Sequence, residues 1–462
     1  MNFLSRLKQS FTPKAQYEQA KTPERRKAGW TYTNTSARQS TSPFAPSLKF
    51  RARAAVRNDP WASKALDSMV SNLIGTGIIA RPATKEEALA KTLNELWQAW
   101  VDECDSTDIL DLYGIQSLVA RSWLESGEVF IRLRPRYPED MEVPLQIQVI
   151  ESDQVSFKDE VLSNGHVVRS GIEYDALGSR VAYWIHPNHP GETLVDKSKN
   201  KTNDAVRIPA TEILHIFKPL RPGQERGVTI FAQVLTKIES MNNFDDAVLL
   251  RQEMSNLFVA FIRKNPDFYT PDPEQTWPVE ALNEALKPGA TKQMLPGEDV
   301  EFTSPPDAGN NYPDFMRQQL MSLCAGVGIP YELLSGDYSR INDRTMRIAI
   351  NDFKRKLEAD QWQIIIAQFL KPLRKAWVDA AILAGRINTS SRKEALKTNW
   401  TTHAHAYIHP VQDIQGKLLK INNGLTTKAQ VISDEGYDPA EVLAEVEKER
   451  KALGYEYSTV AE

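Results

Sequence analysis

The residue types that most often hold metals or move protons fall into four small groups in this chain. His403, His405 and His409 crowd one short stretch and His186 and His189 another, while carboxylates cluster at Glu151/Asp153 and at Glu298/Asp299/Glu301. A helical zinc site wants pairs three or four residues apart, a third ligand and an ordered shell behind them. Both histidine groups sit instead beside Pro and Asn in loop-like sequence, with neither Cys104 nor Cys324 near. Ordinary loop histidines are the expectation, and no metal or cofactor is assigned. Gly75-Thr76-Gly77 followed by Ile78-Ile79-Ala80 imitates a dinucleotide fingerprint. That fingerprint needs a strand before it and a helix after it, and here the order is reversed. There is no G-x-x-x-x-G-K-[ST] loop, G-x-S-x-G elbow or H-E-x-x-H helix. An enzyme reading would rest on carboxylate pairs that nearly every soluble chain possesses.

Composition narrows the class further. With 462 residues, 41% hydrophobic and 25% charged, the chain has the size of two to four globular domains. No run approaches the roughly 18 apolar residues that span a bilayer, and the opening lacks a signal peptide's continuous apolar core. Phe3, Leu4, Leu7 and Phe11 share one helical face, which suits a short flexible helix or a docking peptide. Two cysteines are too few for a disulfide framework, so a reducing compartment fits. A net charge of −4 excludes a globally basic nucleic-acid coat. The charge is uneven: residues 1–57 carry twelve Lys/Arg against Glu18 and Glu24, whereas the stretch from Asp434 to Glu462 carries nine acids.

The periodicities sort into an α+β plan. Residues 10–50, rich in Ser, Thr, Pro and Gln, read as irregular. Helices are expected after Pro60, across Leu93–Val101 and across Leu118–Glu125, the last broken by Gly127. Strands are expected at Glu128–Arg134, Leu145–Ile150, Gly171–Tyr174 and Val181–Ile185, making a sheet over 128–217 packed on those helices. From Ile230 to Ile262 the period becomes helical without a Gly or Pro, which would extend about 50 Å. Eight prolines then mark 263–312 as a compact insert with strand-like pieces at Gln293–Leu295 and Val300–Phe302. A helix restarts through Phe315, Leu320 and Leu323 to Gly328. Another runs from about Thr345 to Leu383, with Pro372 expected to kink it. Asp438 and Pro439 specify one last helix start.

Several local motifs, in order, carry a family resemblance. They are R-A-R (51–53), R-N-D-P (57–60), N-L-I-G-T-G-I (72–78), Y-G-I-Q-S-L-V-A-R-S (113–122) and S-G-E-V-F-I-R-L-R-P-R (126–136). Next come G-I-E-Y-D-A-L-G (171–178), A-Y-W-I-H-P (182–187), I-P-A-T-E-I-L-H-I-F (208–217) and R-P-G-Q-E-R-G-V (221–228). The last are P-G-E-D-V-E-F (296–302) and G-V-G-I-P-Y-E-L-L-S-G-D (326–337). Together these resemble the portal proteins of lambda-type tailed bacteriophages.

The resemblance implies a homo-oligomeric ring, normally a dodecamer, at one capsid vertex of the virion, through which double-stranded DNA enters and leaves. It implies terminase large subunit, head-tail adaptor, major capsid and scaffolding protein as partners, with no membrane, no cofactor and no catalytic residue. The subunit would have a flexible basic arm (1–24), a wing (25–229 and 348–400) and stem helices (230–262 and 313–330). Between the stem helices would lie a clip (263–312), followed by a channel loop (331–347) and a crown (401–462). The loop residues facing DNA would be Ser335, Gly336, Arg340, Asn342, Arg344 and Arg347, the arginines otherwise pairing with Asp337, Asp343 or a neighbouring helix. Stem contacts between subunits would use Leu257, Phe258, Phe261, Leu320 and Leu323. Two other classes stay open at this stage: an enzyme of nucleic-acid metabolism with a carboxylate metal site, and a monomeric helical adaptor.

Overall fold

A computed structural model describes residues 34–137, 139–192, 203–256, 260–264, 298–302, 312–402, 410–437 and 439–454. The basic arm, Leu257, Phe258, most of the Pro-rich insert, Gln293–Leu295, the His403/His405/His409 cluster and Asp438 lie outside the described residues. Helices α1 (Ala37–Thr41), α2 (Ala45–Asn58) and α3 (Pro60–Leu73) come first. The stretch read as irregular is therefore helical from Ala37 onward. Composition hid this, because α2 is fixed by what it packs against: Ala52 and Val56 are buried, and so is the Lys49 ammonium, 3.0 Å from Asp153. Asp59 caps α3 by accepting from the Ala62 N–H at 2.6 Å, with Pro60 pre-set for the first turn. Strand β1 (Ile79–Pro82), α4 (Glu87–Glu103) and α5 (Leu112–Ser126) complete the first helical layer.

The strands form two sheets where one was expected. The first has the order β3–β2–β9, built from Glu128–Pro135 (β2), Leu145–Ile150 (β3) and Ile213–Phe217 (β9). The second is a five-stranded antiparallel sheet of Glu160–Val161 (β4), Val167–Arg169 (β5), Ile172–Tyr174 (β6), Arg180–Ile185 (β7) and Val206–Pro209 (β8). Alternation along β2 explains how both are held. Val129, Ile131 and Leu133 enter the main core with the helices, and Phe130 on the other face enters a second core with Ile172, Tyr183 and Ile208. One three-stranded sheet thus lies between the helices and the second sheet.

A buried ionic joint closes this sandwich. Arg226, fully buried, donates its Nε–H to both oxygens of Glu128 at 2.8 and 2.9 Å, and its Nη2 lies 2.6 Å from Oε1. Its remaining donors reach the carbonyls of Ser170 (2.7 Å) and Ser152 (3.2 Å), and its guanidinium lies 3.9 Å from the Phe157 ring centre. The Gly227 N–H donates to Glu128 at 2.9 Å. Gly127 ends α5 at φ 90°, and a Cβ there would meet the Val228 and Thr229 backbone at 2.4–2.6 Å; one on Gly227 would sit 2.0 Å from the Gly127 carbonyl oxygen. His215, stacked between Phe130 and Phe217, lies 3.1 Å from Glu128 through Nε2 and 3.3 Å from Arg180 through Nδ1. Arginine can only donate, so Nδ1 accepts and the neutral ring gives its Nε2–H to Glu128.

The remaining chain is mostly helical: α6 (Leu235–Asn256), the hairpin β10 (Ala260–Lys264) and β11 (Glu298–Phe302), α7 (Tyr312–Val327), α8 (Tyr331–Ser335) and α9 (Asp343–Asp360). The expected helix over 230–262 is corrected at both ends. It begins after a turn at 231–234, and Phe261 lies on β10 opposite Glu301, not on a stem helix. A run rich in Phe and Ile suits a strand as well as a helix once a partner strand is available, and β11 supplies one from the far side of the insert.

Beyond α9 the chain continues through a π-helical stretch, Gln361–Leu370, into α10 (Lys371–Leu383). The Lys371 N–H bonds Ile366 O, five residues back, just before Pro372, which has no N–H to offer. Then follow α11 (Arg392–Ala395), β12 (Thr398–Thr401), which pairs with β1, and α12 (Pro410–Asn422), α13 (Lys428–Asp434) and α14 (Pro439–Leu453).

The main core centres on Trp97, Trp100 and Trp377, with ring centres 5.0–6.4 Å apart. Buried among them is Arg374, 4.5 Å from the Trp97 ring and 4.4 Å from Trp377, its nitrogens without a hydrogen-bond partner among the described residues. Burial pushes its pKa down to about 9. Two indole faces are then its main compensation, which suits a flat, weakly hydrated guanidinium and not an ammonium.

Two expectations follow from these cores. Arg374→Met removes the buried charge while keeping the stem, so its melting temperature should equal or exceed the wild type's, whereas Arg374→Lys should melt lower than both. The reverse order would show that the guanidinium has an acceptor. The joint predicts acid sensitivity. Burial pushes His215 down to about 4 from 6.5 despite the pull of Glu128, so the unfolded chain takes up this proton first as pH falls. That costs up to about 3 kcal/mol between these values. Burial alone would raise the Glu128 carboxyl, but Arg226 and His215 hold it well below the carboxylate range, so its stabilising contribution is lost at lower pH still. Urea midpoints should fall from pH 7 to 4.5 in the wild type and fall less in His215→Gln; equal slopes would refute a neutral buried imidazole.

Candidate assembly and channel elements

The structure brings together one group that sequence reasoning kept apart. Glu151, Asp153 and His189 each place a ligand atom within 4.8 Å of the others. The Asp153 carboxylate, however, is already met by Lys49 at 3.0 Å and Arg53 at 2.7 Å, and His189 lies 3.2 Å from Glu151. Two cations inside the group repel a divalent ion, so the cluster reads as an ion-pair network that fastens α2 to the sheets. The acids of β11 fall within a hairpin register that sets Asp299 opposite Arg263 and Glu298 opposite Lys264. Around Gly77 the order is helix, turn, strand, and its φ of 117° with the Tyr113 ring 2.3 Å from a would-be Cβ marks a packing glycine. Cys104 and Cys324 are buried thiols, both pushed up to about 12 by burial, and neither is poised to react.

What remains is a helical hairpin and the loop after it. Helices α6 and α7 run to and from β10 and β11. They are joined by Tyr312, which donates to Asp245 at 2.8 Å, and by Phe244, whose ring lies 4.9 Å from Phe315. Gly326 allows the close approach of Val234, whose Cγ1 would lie 2.3 Å from a Cβ. Leu320 and Leu323 are 5% and 0% exposed, in the same core as Val234, Ile238 and Met241. That corrects their expected role: both are covered by their own subunit and are not free to meet another. Exposure falls instead on Leu249 (62%) and Leu250 (57%) of α6, with Phe244 and Phe315 partly open nearby. Leu249 repeats the helical period of Ile238 and only burial separates it from the core, whereas Leu250 lies on the far side of α6.

The G-I-P-Y-E-L-L-S-G-D motif builds a double helix end. Gly328, at φ 79°, closes α7, and Lys356 from α9 donates to the carbonyls of Val327 and Gly328 at 2.9 Å each, satisfying acceptors that a helix C-terminus leaves open. Helix α8 then ends at Gly336 (φ 71°), with Ser335 returning its hydroxyl to Tyr331 O at 2.9 Å. Asp337 accepts from the Ser339 N–H at 3.0 Å, and these Ser339 hydrogen bonds hold its pKa down. Asn342 starts α9 through a reciprocal capping box with Thr345. Of the three arginines expected in the loop, only Arg340 is there, paired with Asp314 of α7 at 3.2 Å; Arg344 and Arg347 stand on the first turns of α9, Arg347 paired with Asp343 one turn back. Arg344 is exposed with no partner among the described residues.

The sequence profile described as phage portal protein, lambda family, matches residues 23–361. The chain belongs to that family. It is 23% identical over 430 residues to the probable portal protein of Halomonas phage phiHAP-1, covering 87% of this chain and 79% of that one. It is 20% identical over 452 residues to portal protein B of Escherichia phage lambda, covering 87% and 84%. Among solved structures, a chain from the neck of an empty gene transfer agent particle overlaps with TM-score 0.48 and 12% identity, covering 86% of this chain and 94% of that one. Portal proteins are structural components of the virion and not enzymes, which removes the carboxylate-enzyme reading. No helix among the described residues is long and apolar enough to cross a membrane.

Proposed function

We propose that copies of this portal protein close into a ring, normally of twelve, whose channel passes double-stranded DNA into and out of the head at one capsid vertex. Membership of the portal family over residues 23–361 is the observation that carries this reading. In this scheme α6 and α7 are the stem, residues 263–312 with β10 and β11 the clip, and 401–462 the crown. The wing comprises 25–229 and 348–400, including both sheets and the Trp97/Trp377 core. Terminase large subunit and the head-tail adaptor would dock outside the ring, with the capsid and scaffolding proteins around the wing, and ATP hydrolysis belongs to the terminase. Exposed leucines at 249 and 250 favour packing of the stem against neighbouring copies, since scattered polar residues would suffice for a lone helix.

In this reading the channel loop is the segment from Ser335 through Arg347. DNA must slide there, and every phosphate neutralised adds affinity and salt dependence that would hold it. A loop whose Arg340 and Arg347 are already matched by acids, leaving Arg344 and Asn342 exposed, supports weak and sequence-independent contact. Gly336 opens the segment at φ 71°, and the capping box at Asn342 ends its irregular part, so Arg344 and Arg347 are carried by the start of α9.

Native mass spectrometry tests the ring: the wild type should appear as a high-order oligomer, and Leu249→Glu with Leu250→Glu should leave folded monomers. A wild type that stays monomeric at micromolar concentration would sink the ring. Arg340→Ala with Arg344→Ala should assemble normally yet reduce DNA packaging or retention in heads; packaging equal to wild type at every salt concentration would remove the loop's charge from the mechanism.

A further inference from the structure

The side of β2 that carries Glu128 and Phe130 continues past the second sheet as Arg132, Arg134 and Arg136. Phe130 is covered by the five-stranded sheet, and where that cover ends the arginines emerge above a groove of about 350 Å³. Arg132, Arg134 and Gln148 line one side of the groove, and Ile185, Val206 and Ile208 the other. The cations are only partly answered. Arg132 shares Glu212 at 3.5 Å, while Arg134 and Arg136 meet only the neutral amide oxygens of Gln148 and Gln146, at 2.7 Å each. Arg207, on the groove wall, is spent on Glu173 at 2.8 Å. Burial and the neighbouring positive charges of Arg132 and Arg136 lower the Arg134 pKa, consistent with unneutralised charge. A wing that needed these residues only for solubility would not set three like charges in a row beside an apolar wall.

We infer that this groove docks an extended acidic protein segment in which carboxylates alternate with apolar side chains. In an extended segment, side chains two residues apart recur at about 6.7 Å, the same repeat that separates successive arginines on β2. Carboxylates on one side of the segment therefore fall in register with Arg132 and Arg134, each able to take a bidentate pair. The intervening apolar residues face the exposed Val206 (53%), with Ile185 and Ile208 buried at the base of the groove. Duplex DNA answers the charges but not the wall: it offers phosphates from a convex surface and nothing apolar to Val206. The groove is separate from the channel loop, so this inference does not depend on how DNA is handled.

Fluorescence anisotropy with the purified full chain tests it, using a labelled peptide of alternating Glu and Val, its Gln–Val counterpart and a short random-sequence DNA duplex. The Glu–Val peptide should bind, the Gln–Val peptide should bind at least about tenfold more weakly, and Arg132→Ala with Arg134→Ala should cost the Glu–Val peptide about tenfold or more. Val206→Asp, a surface change on the opposite wall, should weaken the same peptide without altering the melting curve. Binding indifferent to Glu against Gln, or to both sets of substitutions, overturns the inference. Duplex DNA binding that requires Arg132 and Arg134 while the peptide fails to bind overturns it in favour of a nucleic-acid surface.

Discussion

One buried ion pair holds both sheets and α5 in register. Glu128 begins β2 immediately after α5 ends, and Arg226 sits in the R-P-G-Q-E-R-G turn that leads toward α6. Isolated, either charge would cost several kcal/mol to bury, so each makes the other indispensable. The guanidinium leaves no donor idle: two sides meet the carboxylate and the rest meets carbonyls of the loops flanking the second sheet. Gly127 and Gly227 let the two backbones touch, since a methyl group on either would overlap the other's backbone. The turn that launches the helical hairpin is thereby fixed to both sheets and to α5. The direction in which α6 leaves the sheets follows from a joint nearly one hundred residues long in sequence, yet only one carboxylate wide in space.

The sequence revealed this joint only as two separate motifs. S-G-E at 126–128 and E-R-G at 225–227 look like a helix stop and a surface turn, because charged residues beside glycine are usually solvated. Nothing local says that Glu128 and Arg226 face each other; that depends on the β2–β9 register, which a single chain does not display. Period-two strands fared better. Glu128–Pro135, Leu145–Ile150 and Arg180–Ile185 lie within a residue or two of their expected bounds, since one buried face imposes strict alternation. Residues 45–58 went unread for the opposite reason: the Lys49–Asp153 pair that secures α2 bridges about a hundred residues. Helices α6 and α7 show a third limit. Leu323 and Leu249 both satisfy a helical apolar period, and only the three-dimensional packing separates the core residue from the exposed one.

Charge placement unifies the rest. Cations that must stay rigid are buried and fully engaged, as with Arg226 and Lys49, or stacked on indoles, as with Arg374. Cations on the loop after α8 are half-neutralised by acids one turn away or on α7, in exposed pairs worth at most about 1 kcal/mol. Those on β2 are fixed by sheet geometry but matched mainly by neutral amides. The three treatments differ physically: full engagement fixes a charge in place, an exposed pair leaves it mobile, and a neutral amide leaves it unspent. A sliding contact requires weak, mobile charge, because a rigid unpaired array would trap a polyanion. The rigid array on β2 therefore suits a partner that stays bound, and it occurs in the sheet layer, whereas Arg340 lies in the turn after α8 and Arg344 and Arg347 on the first turns of α9.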